Sequence, residues 1–314
     1  MKKSFLVAFI LVLMMLVSAC GNNSATNKNE ASPQNAESSS ATNDTPEIRT
    51  YQSENGPVEI PSNPKRIVAL TNAPNVLALD GKLVGVDQWT NANPLFTDKL
   101  EGIEVVTEDE LEKIVDLEPD LIIAGTETKN LEKLNQIAPT VTFTWGKLDY
   151  MSQQLEIGKI LNKEKETQAW IDDFKKRTEA TGKEIQAKHG NDVTVSVFET
   201  DSKSFYVFGN NWARGTEILY QAMGLNMPEK VKQDALGPGY YMMSQEVIPE
   251  YSGDFIVLSR AAGDNSYTET KTWNEIPAVQ NKNVIEIDTN ASTYSDPITL
   301  EYLLDIFTEG FLGK

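Results

Sequence analysis

Trp212 and Arg214 stand two residues apart in YVFGNNWARGTEILY, residues 206–220. An indole offers a broad apolar face. A guanidinium offers five N–H donors in a plane and a charge that never titrates away. Side by side at a turn, they suit an organic ligand with carbon walls and exposed oxygens. The same residue types also fit a structural role, in which Trp212 caps a core and Arg214 pairs with Glu217. Other chemistry finds little support. There is no G-x-S-x-G, H-E-x-x-H or G-x-x-x-x-G-K-[ST]. Ser62-Asn63-Pro64-Lys65 matches S-x-x-K in form, but Pro64 lies inside it and a strand follows. That chemistry needs the Ser and Lys on one helical turn, so an enzyme reading is rejected. One histidine, His189, and one cysteine, Cys20, form no His/Cys cluster for zinc, manganese or bare iron.

The N-terminus sets the compartment. Lys2 and Lys3 precede an uncharged apolar run at 5–17, and Val17-Ser18-Ala19 are small residues before Cys20. Residues 1–19 read as a secretory signal, too short for a stable membrane-spanning helix. The junction resembles the lipobox of bacterial lipoproteins. That implies cleavage before Cys20, a diacylglycerol on its sulfur, and a place on the extracytoplasmic face of the cell membrane. Residues 20–46 are polar with no apolar period, which predicts a lipid-anchored flexible tether. With 28 basic against 46 acidic residues, the charge argues against nucleic acid and against a basic membrane-binding surface.

Short β-rich runs alternate with helical stretches through the body. RIVAL (66–70), LVGV (83–86), DLIIAG (120–125) and TVTFTW (140–145) are predicted strands of an N-terminal lobe at 47–164. VTVSVFET (193–200), SFYVFG (204–209), DFIVLS (254–259) and VIEID (284–288) are predicted strands of a C-terminal lobe at 190–314. TEILYQAMGL (216–225), capped by Gly224, and PITLEYLLDIFTEGFL (297–312) are its predicted helices. Between the lobes, residues 165–189 carry Ala169, Trp170, Phe174, Thr178 and Ile185 on one stripe of a long helix. The class is α/β, with two Rossmann-like lobes joined by a single helix.

NPKRIVAL, DELEKIVDLEPDLIIAG, KLNQIAPTV, YVFGNNWARGTEILYQAMGL, SQEVIPEYSGDFIVL, TWNEIPAV and YSDPITL together resemble the siderophore-binding lipoproteins of bacterial ABC importers. The likeness is to the iron(III)-hydroxamate binders of Gram-positive bacteria, and it covers nearly the whole chain. It implies a ligand cleft between the lobes, a ferric siderophore as ligand, and an ABC permease with its ATPase as partner. It implies no cofactor, since the siderophore already gives its iron six oxygens, and a monomer. By resemblance, Trp212 stacks on the ligand and Arg214 donates to oxygens near the iron, with Ala213 where the family commonly has Gly. Tyr206, Tyr294 and Tyr240 are expected at the cleft in the second lobe, Trp89 and Lys129 in the first. Trp170 and Trp273 are assigned to packing, and Trp145 is left open. Glu112 and Glu246 match acidic residues, one per lobe, that dock on permease arginines. A catecholate or carboxylate siderophore, cobalamin and haem stay open as other ligands of the same fold. Catecholate complexes would favour a cluster of basic residues, for which only Arg214 and Lys129 are candidates.

Overall fold

Runs that are apolar at nearly every position become central strands covered on both faces. In the computed structural model, which describes residues 47–200, 204–261 and 266–314, five short strands build the first sheet. They are β3 (Ile67–Ala69), β4 (Leu83–Val86), β5 (Glu104–Val105), β6 (Leu121–Gly125) and β7 (Thr140–Phe143). A hairpin of β1 (Ile48–Ser53) and β2 (Gly56–Pro61) precedes them, turned at Glu54-Asn55. The first sheet has the order β5-β4-β3-β6-β7 and every pairing is parallel. Strand order reverses between β3 and β6, the position where open α/β sheets leave a crevice at their carboxyl ends.

The second sheet runs β10-β9-β8-β11-β12, from β8 (Val195–Thr200), β9 (Phe205–Phe208), β10 (Tyr240–Met243), β11 (Phe255–Arg260) and β12 (Val284–Asp288). It is mixed. β8, β11 and β12 are parallel, whereas β9 and β10 run antiparallel to their neighbours. Residues 201–204 are too few for a crossover, so β9 has to pair antiparallel with β8.

The helix Glu164–His189 lies between the lobes. Its 26 residues extend about 39 Å. Glu164 and Glu166 sit in its first turn and Lys188 and His189 in its last, as the helix dipole favours. Thr167, Ile171, Phe174, Thr178, Gly182 and Ile185 form the buried stripe. Trp170 stacks on Phe174 at 5.0 Å, and Trp273 is buried in the second lobe, both in packing roles. His189 is exposed, with Nε2 2.8 Å from the Phe311 carbonyl oxygen. Glu301 of the last helix, Pro297–Leu312, receives both Nη1 (2.8 Å) and Nη2 (2.5 Å) of Arg177 and the Trp170 indole N–H (2.8 Å). A second brace is the helix Tyr150–Ile160. Its Met151 is part of the second lobe's core, while Ile157 and Ile160 belong to the first lobe's. Cys20, the signal and the tether lie outside the described residues. Among the described residues no helix is long and apolar enough to cross a membrane.

Candidate functional site

The stretch after β9 is shaped by three consecutive residues in the left-handed region, Ala213 (φ 56°), Arg214 (φ 54°) and Gly215 (φ 77°). Only Gly215 adopts this without strain. A Cβ there would also lie 2.4 Å from the Phe307 ring. The turn is secured by bonds on both sides. Trp212 N donates to Thr216 Oγ1 (2.9 Å), Ala213 N to Glu217 Oε1 (3.0 Å) and Arg214 N to the Ser292 carbonyl (2.9 Å). The helix that follows, Glu217–Ala222, is widened, with Met223 N reaching the Ile218 carbonyl five residues back at 2.8 Å. Such widening recurs at functional sites.

Arg214 does not pair with Glu217. Its Nε and Nη2 grip Glu199 Oε2 (2.8 Å) and Oε1 (3.0 Å), at the end of β8, and its guanidinium lies 5.3 Å from the Phe208 ring centre. Ser259 Oγ donates to the same Glu199 at 2.7 Å. Glu217 instead caps the turn, buried, and burial pushes its carboxyl pKa up.

A cavity of about 450 Å³ lies between the lobes. Trp212, Arg214 and Tyr294 of the expected site line it. Trp212 is laid over Gly239, whose Cβ would be 2.4 Å from the indole, and its ring is 5.0 Å from Tyr240. So Trp212 both covers its own lobe and presents a face to the cavity. Tyr294 comes from the second lobe but seats against the first lobe's core, 6.1 Å from Phe96, with its hydroxyl 3.3 Å from Thr90 Oγ1. Burial pushes its pKa up.

The remaining expected residues lie elsewhere. Tyr206 is half-buried on β9, 6.1 Å from Tyr240, and neither tyrosine lines the cavity. Trp89, 69% exposed on the helix Gln88–Ala92, and the exposed Lys129 do not line it either. The loop after β4 serves the lobe contact instead: Asn93 Nδ2 donates to the Asn290 carbonyl at 2.7 Å. First-lobe lining comes from the loops after β3, β6 and β7, through Asn72, Thr126, Glu127 and Trp145. Trp145, 83% exposed, meets Trp212 edge to face at 5.6 Å across the cleft. The signal for it was present, an indole just past a buried strand, but Trp89 and Lys129 carry the same signal. Glu112 and Glu246 are exposed, one on each lobe, and neither forms an ion pair among the described residues. No three His, Cys, Asp or Glu side chains among the described residues gather to hold a metal ion.

Residues 67–291 match the model of the family described as periplasmic binding protein. The chain belongs to the periplasmic binding protein family. Its place there is that of a binding component of transport, not an enzyme. Among curated members it is 33% identical to the iron(3+)-hydroxamate-binding protein FhuD of Bacillus subtilis, over 98% of this chain and 97% of that one. It is also 33% identical to the iron(3+)-hydroxamate-binding protein YxeB of the same organism, over 100% and 98%. Among solved members, FhuD2 of Staphylococcus aureus with bound ferrioxamine B superposes with a TM-score of 0.74 at 32% identity, covering 80% of this chain and 99% of that one.

Proposed function

We propose that this protein captures ferric hydroxamate siderophores outside the cell and delivers them to an ABC permease for iron uptake. The observation that carries this reading is the make-up of the cleft. Two indoles face each other across it, and its charged lining residues are Arg214, Glu127 and Glu217. Glu199 balances Arg214, the one cation among the described lining residues. Such a cavity suits a neutral or weakly charged chelate with a carbon frame, and its volume lies within the roughly 300–1,000 Å³ of ligand pockets. Three hydroxamates neutralise ferric iron; three catecholates leave a strongly anionic complex, for which the described lining residues carry no surplus positive charge. The hydroxamate-binding names of the relatives support the same choice. Fluorescence titration of the purified protein with ferrioxamine, ferrichrome, a ferric catecholate, cobalamin and haem tests it. Tight binding of the catecholate or haem, with none of the hydroxamates, overturns it.

Glu112 and Glu246 serve, in this reading, as the permease-docking charges, which fits their exposure and their lack of ion-pair partners among the described residues. Replacing both with Ala leaves ligand titration unchanged and abolishes uptake; loss of ligand affinity instead places them in the cleft. Cys20 carries the lipid anchor of a monomeric protein. A Cys20→Ala chain is released or stays unprocessed, and one still anchored at its mature mass contradicts the anchor.

A further inference from the structure

Tyr150 and Gln153 both line the cavity, and they sit one turn apart at the start of the helix Tyr150–Ile160. Residues three apart share one helix face. This turn is firmly placed. The Asp149 carboxylate accepts from Met151 N (3.0 Å) and Ser152 N (2.9 Å), and Met151 is buried in the second lobe's core. The neighbouring Gln154 is satisfied: its Oε1 accepts from Asn75 Nδ2 at 2.7 Å, and its Nε2 donates to the Asn75 carbonyl at 3.3 Å. Gln153 is not. Its Nε2 is buried and finds no hydrogen-bond partner among the described residues. Folded proteins seldom leave a buried donor idle, and one on the wall of a ligand cavity points to an acceptor that arrives with the ligand. Tyr150 adds a phenol that keeps its proton, because burial pushes its pKa up and Glu217 nearby pushes the same way.

We propose that Gln153 and Tyr150 form a second recognition point in the cleft, donating to a carbonyl-type oxygen of the ligand. This deepens the hydroxamate reading and rests on it. Neutral donors fit a neutral oxygen better than a carboxylate, which would call for a cation here. Two sources of that oxygen share this chemistry, an amide in the arm linking the iron-binding groups and an iron-bound hydroxamate itself. The full-length purified protein is titrated with ferrioxamine E, which has linker amides, and with ferric tris(acetohydroxamate), which has none.

Gln153→Leu weakens ferrioxamine E binding roughly tenfold, Gln153→Glu at least as much, and Tyr150→Phe about threefold. The melting temperature of Gln153→Leu stays level or rises, since an idle buried donor has been removed. A residue with only a structural role would lower it. Loss confined to ferrioxamine E identifies the linker amide, and loss with both chelates identifies an iron-bound oxygen. Wild-type affinity for ferrioxamine E in both Gln153→Leu and Tyr150→Phe overturns the proposal while the parent reading stands. Failure of the wild-type protein to bind either chelate overturns both.

Discussion

The two indoles that meet across the cleft are held in opposite ways. Trp212 is half-buried on Gly239 and Tyr240, and its turn is fixed by Thr216, Glu217 and Ser292. Trp145 stands 83% exposed on the turn after β7, and Trp212 is its aromatic contact. One wall is thus organised before the ligand comes, and the other is free to adjust to it. A rigid wall lowers the ordering cost of binding, while a loosely held indole lets ligands of differing outline be covered.

The largest test of the rigid wall is Arg214→Ala. From residue types alone its loss should spare the fold, but the ion pair with Glu199 changes that. The two side chains are each 17% exposed, so truncation strands a mostly buried carboxylate. Stability falls by about 3 kcal/mol. Affinity falls about ten- to a hundredfold, as for a lost charged hydrogen bond. Adding Glu199→Ala restores most of the stability and none of the affinity, read by paired melts and titrations. If the double variant regains affinity, Arg214 does not touch ligand.

Asp296 caps the last helix through Ile298 N (2.9 Å) and sits beside the Tyr294 loop of the same wall. Burial pushes its pKa up to about 6. A carboxyl raised above its unfolded value stabilises the fold below pH ~4, and that contribution disappears as pH rises through about 6. Asp296→Asn, still able to cap, flattens stability between pH 4 and 6 and gains at most about 3 kcal/mol at pH 7. Denaturant melts across that range check it; an unchanged slope contradicts the buried-acid account.

The indoles themselves give the next contrast. Trp212→Ala loses about 2 kcal/mol of stability as well as ligand affinity, since it uncovers Gly239. Trp145→Ala changes stability by less than about 0.5 kcal/mol and weakens binding alone. Equal melting losses would erase the distinction between the walls. The smallest effect belongs to Ala213→Gly. Relief of the left-handed strain, about 1 kcal/mol, exceeds the added unfolded-chain entropy, for a net gain of about 0.5 kcal/mol. A loss of stability would mean that the Cβ of Ala213 contributes more than its backbone costs.

Much of the fold was legible because its central strands are buried on both faces. β6 (LIIAG) and the first four residues of β11 (FIVL) stand out as apolar runs, and β7 (TVTF) and β8 (VSVFET) as β-branched and aromatic ones. β5 is two residues long, and β10 is Tyr-Tyr-Met-Met on an exposed edge, so neither carries a period. The hairpin of β1 and β2 carries only a weak signal, Asn55-Gly56, which falls one residue past the centre of the observed turn. In the site, Trp212 and Arg214 were visible as an unusual pair. Glu199 was not, because strand pairing and not local spacing brings it to Arg214. Gln153 was hidden for a similar reason: one glutamine in a helix looks like another until the partners of Gln154 are known.

The helix Tyr150–Ile160 has roots in both cores, and a piece shared this way cannot tilt toward one lobe without tearing at the other. Such a molecule is expected to keep almost the same outline when cargo binds, and small-angle scattering with and without ferrioxamine checks it. A transporter greeting it from outside then cannot tell full from empty by posture and must sense what fills the mouth of the cleft. Empty copies become rivals for the same berth, and iron flux follows the loaded fraction at the membrane rather than the sheer number of carriers.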